Sequence, residues 1–139
     1  MSPILLNIKS ITYAECSDIY NLLFIPGLGV KLPENASFQK LDIVNLAFAE
    51  TISKYENKTR LFTTTVKAKL PEQFDVNNRH LIFILSTVNS ERFLLGLPYH
   101  PYPIITTTFS MPENMAEPSG CTIIIEYTDN RGLLRILDD

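Results

Sequence analysis

The run Leu81-Ile82-Phe83-Ile84-Leu85 continues through Ser86-Thr87-Val88 into the polar Asn89-Ser90-Glu91, and Arg92-Phe93-Leu94-Leu95 follows before Gly96 ends it. Two β-rich runs flanking a short polar break predict a buried hairpin, because Asn and Ser tolerate turn geometry. Behind it comes Pro98-Tyr99-His100-Pro101-Tyr102-Pro103. Its prolines have no amide hydrogen to give a ladder, so this tail is expected to leave the sheet as an exposed arm. The hairpin specifies a β-sheet and no chemistry.

The neighbouring segments repeat the pattern. Upstream, Phe62, Thr64, Val66, Ala68 and Leu70 alternate with Thr63, Thr65, Lys67 and Lys69, which predicts a half-buried strand ending at Pro71. Glu56-Asn57-Lys58-Thr59 reads as the turn before it. Residues 41–55 fit two periods: Leu41, Val44, Phe48, Ile52 and Tyr55 have helical spacing, while Val44, Leu46, Phe48, Glu50 and Ile52 alternate with their neighbours. Pairing with the strand at Arg60–Leu70 favours a strand there. A short helical turn is expected within Glu72–Asn78. The amino terminus alternates Ile4, Leu6 and Ile8 with Leu5, Asn7 and Lys9, a strand that Ile11 and Tyr13 continue.

Between Ala14 and Phe38 lies an apolar segment punctuated like a loop, with Leu22 to Val30 at its centre. So greasy a loop packs against something, either its own sheet or a neighbouring subunit. In the last third, Ile104–Phe109 is a Thr-rich strand and Met111–Gly120 a long loop. Thr122–Tyr127 and Leu133–Leu137 are strands joined by a turn carrying Asn130 and Gly132. The expected fold is a single domain over residues 1–139, all-β and mainly antiparallel. It is a sandwich or barrel with long loops, an apolar loop at 14–38, a Pro/Tyr arm at 97–103 and at most one short helix.

Composition narrows the function classes. The chain has 139 residues, 45% of them hydrophobic and 19% charged, with a formal charge of −3. Charges are sparser than the usual ~25%, which hints at surface covered by other subunits. The acidic balance argues against nucleic acid and anionic membranes. Apolar runs of about five residues fall far short of the ~20 that cross a bilayer as a helix. The start has neither a basic region nor a sustained apolar core, so a cytoplasmic chain is expected. Cys16 and Cys121 match no metal-ligand spacing and read as small buried hydrophobes, with a disulfide open only if folding brings them together.

The candidates for chemistry are weak. His80 begins a strand and His100 sits among prolines and tyrosines, with no nucleophile elbow around either. Pro26-Gly27-Leu28-Gly29-Val30 lacks the third glycine of a dinucleotide loop. Glu113 and Glu117 share one loop without a calcium ligand series. No catalytic, metal or cofactor residue is expected. The better candidates are interface residues: Leu23, Phe24, Ile25 and Leu28 in the greasy loop, and Tyr99 and Tyr102, aromatics stiffened by proline. Serines at Phe24 and Ile25 are expected to leave the fold intact and prevent assembly.

Four features occur in order: a strand ending Leu70-Pro71, then Leu81–Thr87, then Glu91-Arg92-Phe93-Leu94-Leu95-Gly96 before a Pro-containing segment, and finally Gly120–Tyr127. Over residues 56–137 this series resembles the small β-rich structural proteins of tailed phages and prophages of Bacteroidetes. The resemblance implies a virion component of the head–tail connector, neck ring or tail, made and assembled in the host bacterial cytoplasm. It implies a ring of copies contacting other virion proteins, without nucleic acid, membrane, small-molecule substrate or cofactor. The rival reading is a β-sandwich module that grips a glycan or peptide with Tyr99–Pro103 and Met111–Gly120.

Overall fold

A computed structural model describes residues 4–19, 22–25, 28–33, 37–44, 47–56, 58–71, 80–97, 102–110, 120–129 and 133–137. Those residues are all-β. β1 (Ile4–Glu15) runs into one 3₁₀ turn (Cys16–Asp18), followed by β2 (Leu23–Ile25), β3 (Gly29–Lys31), β4 (Gln39–Leu41) and β5 (Ala47–Glu56). Next come β6 (Thr59–Leu70), β7 (Leu81–Thr87), β8 (Arg92–Leu95), β9 (Ile104–Ser110), β10 (Gly120–Asp129) and β11 (Leu134–Arg135). The main sheet has the order β11-β8-β7-β1-β5-β6-β10-β9, with β4 beside β5 on the same edge of β1. All its pairings are antiparallel. It does not close into a barrel, since β9 and β11 stand at opposite ends.

The predicted hairpin is β7–β8. Its ladder ends at Ser86↔Arg92, and the Thr87 amide donates to the Glu91 carbonyl at 2.8 Å. Ser90 takes a φ of 67°, the left-handed last residue expected of a three-residue hairpin loop. β7 shows no alternation because both its faces are covered: Leu81 through Leu85 are all buried. Phe83 and Leu85 join one apolar cluster, and Ile82 and Ile84 the other.

The larger cluster joins Ile8, Ile11, Val66, Phe83, Leu85, Ile123 and Ile125 on one side of the sheet. Among the described residues no second sheet or helix covers that side. The sheet instead bends so that its two halves bury each other, a sandwich-like packing made from one sheet. β1 serves both halves through a register shift between Ile8 and Ser10. Such a bulge inverts the alternation, so Leu6 and Ile8 before it and Ile11 and Tyr13 after it all reach the same cluster. The bulge explains the odd spacing of apolar residues in the amino-terminal strand.

Residues 41–55 are strand rather than helix, interrupted once. β4 ends at Leu41, β5 starts at Ala47, and the Val44 amide donates to the Lys69 carbonyl between them (2.7 Å). β5 and β6 form the expected hairpin, with Lys58 at a φ of 66° in its turn. The helical turn expected within Glu72–Asn78 lies outside the described residues.

One expectation needs correction. β10 and β11 do not pair: β10 is flanked by β6 and β9, so both its edges are taken, and β11 pairs β8 through Leu134↔Leu94. Of the 97–103 segment expected as an arm, only the two ends are described, and residues 98–101 lie outside the described residues. Gly96 turns the chain at a φ of 95°, Leu97 and Pro103 are buried, and Tyr102 packs against the smaller cluster.

Candidate functional site

The greasy segment folds over its own sheet through alternate residues. β2 and β3 pair as Leu23↔Lys31, Phe24↔Val30 and Ile25↔Gly29. Val30 is buried in the smaller cluster and Phe24 packs on it. The hairpin is tied to the carboxyl-terminal strand by a parallel bridge, Val30↔Ile136, and by the Leu137 amide donating to the Val30 carbonyl at 2.9 Å. The opposite parity points away: Leu23 is 56% exposed, and Leu28 in the turn is 64% exposed. Ile25 is half-buried.

Of the six interface residues expected from sequence, four are thus gathered on one hairpin. Phe24 belongs to the chain's own packing, while Leu23 and Leu28 form its outward surface. Tyr102 is half-buried on the same side of the sheet, stacked on His80 with ring centroids 4.0 Å apart. Tyr99 lies outside the described residues.

A second surface escaped the sequence reading. On β5, Ala47, Ala49 and Thr51 turn into the core, whereas Phe48 (64% exposed) and Ile52 (49% exposed) face solvent. A half-buried strand ordinarily places its large apolar residues inward. Here the order is inverted, because the inner side of β5 lies against the fully buried Ile8 and Val66 and has room only for small side chains. The signal was present, since the large residues of 47–52 share one parity. Which parity faces the core is a tertiary matter.

Register sets the neighbours on this outer face. One row runs Phe48, Lys67, Ile124, Thr106, and the next runs Glu50, Thr65, Glu126, Ile104. Ile104 is 66% exposed. Beyond them the Thr63 and Thr128 hydroxyls hydrogen-bond across β6 and β10 at 3.1 Å.

A third group gathers on the inner parity at the β5–β6 turn. The Arg60 guanidinium carbon lies 5.3 Å from the Tyr55 ring centroid and 5.9 Å from that of Phe62, within cation–π range. Asp129 pairs opposite Phe62 in the ladder and accepts a 3.0 Å hydrogen bond from the Tyr127 hydroxyl.

Of the residues weighed for chemistry, one histidine is described. His80 is exposed against Tyr102, and His100, Glu113 and Glu117 lie outside the described residues. Among the described residues no three His, Cys, Asp or Glu side chains are grouped to hold a metal ion. Cys16 and Cys121 are both free thiols in different clusters on opposite sides of the sheet, which excludes a disulfide between them. Burial pushes the Cys16 thiol up to about 11, against the low values of reactive cysteines. No helix among the described residues is long and apolar enough to cross a membrane. Comparison of the chain with protein-family models, with curated proteins and with solved structures finds no match.

Proposed function

We propose that this chain is a non-enzymatic structural subunit of a tailed-bacteriophage virion, present as a ring of copies in the head–tail connector, neck or tail. The observation that carries the reading is the β2–β3 hairpin. Phe24 and Val30 clamp it to the sheet, and Leu23 and Leu28 remain outward, 56% and 64% exposed. A ring subunit needs a stiff scaffold that presents an apolar element to a different patch on the next copy, since such heterologous contacts close on rotation. The likeness of residues 56–137 to phage structural proteins supplies the setting, including assembly in the host cytoplasm and contact with other virion proteins.

Two measurements test this. Sedimentation and electron microscopy of the purified chain should reveal closed oligomers, and Leu23→Ser with Leu28→Ser should abolish them without loss of the β-sheet circular dichroism signal. Peptides of the chain should also appear in particles purified from the source. Closed rings in the double variant, or particles free of the chain, would overturn the proposal.

Recognition of a glycan or peptide is the second reading, favoured by the exposed Tyr55 beside Arg60 and Phe62. A monomeric chain whose binding on a glycan or peptide array is lost in Tyr55→Ala would select it.

A further inference from the structure

We propose that the carboxyl-terminal strand, residues 133–137, is exchanged between copies, so that the strand of one chain fills the slot of the next. The inference rests on the reading of the chain as a ring subunit and names an element that joins its neighbours.

The slot and its occupant are both defined. β11 pairs antiparallel with β8 through Leu134↔Leu94 and Arg135↔Phe93, and the Ile136 amide donates to the Arg92 carbonyl at 2.9 Å. On its other side Ile136 bridges Val30 in parallel, and the Leu137 amide donates to the Val30 carbonyl at 2.9 Å. The segment thus closes the gap between the edge of β8 and the β2–β3 hairpin. Ile136 is buried in the smaller cluster with Val30 and Leu94, and Leu134 packs on it. An empty slot would leave the backbone edge of β8 unpaired and part of that cluster in water, so every copy needs such a strand.

Topology bears on which copy supplies it. β10 and β11 lie in opposite halves of the sheet, with β6, β5, β1, β7 and β8 between them. Residues 130–133 alone join Asp129 to Leu134. Five Cα–Cα spans reach about 17 Å at most. Packed layers stand ~10 Å apart, before any sideways step from β10 to the slot beyond β8. Within one chain the link therefore has little slack. A short link of this kind favours exchange, because the same strand can enter the identical slot of a neighbour.

Exchange sacrifices no contact. Each hydrogen bond and the burial of Ile136 are remade in the next copy, so the entropy of association is the main opposing cost. The far wall of the slot is β3, and the same hairpin presents Leu23 and Leu28 outward. The entering strand and the hairpin contact then lie side by side, and burial of the two leucines offsets that cost. A strand passed from each copy to the next is a heterologous contact, which generates a ring when the rotation closes.

The test uses the full chain and one ladder pair. Phe93 and Arg135 stand opposite each other, and cysteines at such paired positions lie within disulfide range. The chain with Phe93→Cys and Arg135→Cys, oxidised and run on a denaturing gel, should yield covalent multimers. Refolded together, a chain with Phe93→Cys alone and one with Arg135→Cys alone should give a mixed disulfide dimer. The parent chain, whose Cys16 and Cys121 are buried, should give none. Insertion of about six Gly and Ser residues after Asn130 lengthens the link, and should return the double-cysteine chain to monomers cross-linked within themselves. Leu23→Ser with Leu28→Ser should lose the closed rings yet keep the mixed disulfide. Cross-links confined to single chains would overturn the exchange, and rings of the parent chain would then leave the ring reading standing without it. Multimers unchanged by the insertion would overturn it as well.

Discussion

The hydroxyls of Thr51 and Thr64 meet at 3.0 Å across the β5–β6 ladder, both side chains buried in an otherwise apolar surround. Each satisfies the other. Removing one therefore strands a buried polar group, whereas replacing both by an apolar group of the same shape removes the need. Thr51→Val and Thr64→Val alone should each destabilise by about 1–2 kcal/mol, and the double variant should lie closer to the parent than either single one. Urea unfolding of the four chains checks this, and strict additivity would show that the pair contributes nothing as a pair.

Gly29 presses against the backbone carbonyl of Arg135, so close that a Cβ cannot be placed, and its φ of 154° is one that side chains rarely adopt. The contact seats the hairpin on the carboxyl-terminal strand, where Leu137 bonds Val30. Gly29→Ala should part the two, and a loss of about 1–3 kcal/mol is expected from the combined clash and strain. Hydrogen exchange would place the damage: the Leu137 amide should lose protection, while those of β6 and β10 keep theirs.

The legible parts of this fold are those that depend on neighbours in sequence. The β7–β8 hairpin shows in its two apolar runs, and β6 in its clean alternation. The β5–β6 turn shows in Asn57-Lys58. What was hidden depends on which sheet edges are already occupied. Asn130 and Gly132 suggest a turn, but nothing local reveals that β10 is enclosed by β6 and β9 and sends β11 across to β8. The same limit applies to the candidate surfaces. The apolar character of Leu23 to Leu28 was evident, but the inward turn of Phe24 and outward turn of Leu23 follow from how the hairpin lies on the sheet. On β5 the shared parity of Phe48 and Ile52 was visible, but that this side faces outward follows from the packing of Ala47 and Ala49 against Ile8 and Val66.

Cys16 makes stability depend on alkaline pH. Its thiol is buried, donates to the Leu97 carbonyl at 3.7 Å and is raised from 9.0 to about 11 by desolvation. Below about pH 9 the group is protonated in both states, and its contribution is fully present. Between 9 and 11 the unfolded chain releases this proton first, so the contribution is lost as pH rises through the folded value. The urea midpoint of the parent chain should fall from about pH 8 to about pH 10.5 by more than that of Cys16→Ala, in which other groups titrate alone. Parallel curves would mean that the thiol ionises as easily folded as unfolded.

Phe48 and Phe83 carry the same side chain in opposite circumstances: 64% exposed on the outer face of β5, and wholly buried on β7. Phe83 touches the larger cluster where the two halves of the sheet meet, so Phe83→Ala leaves a cavity as well as losing its transfer energy. About 3–5 kcal/mol of destabilisation is expected, enough to unfold a marginal domain. Phe48→Ala removes a ring that the isolated chain leaves mostly in water, and thermal unfolding of the dilute, monomeric chain should move by less than about 0.5 kcal/mol. If Phe48→Ala is instead as damaging in dilute solution as Phe83→Ala, β5 presents its alanines to solvent and its phenylalanine to the core.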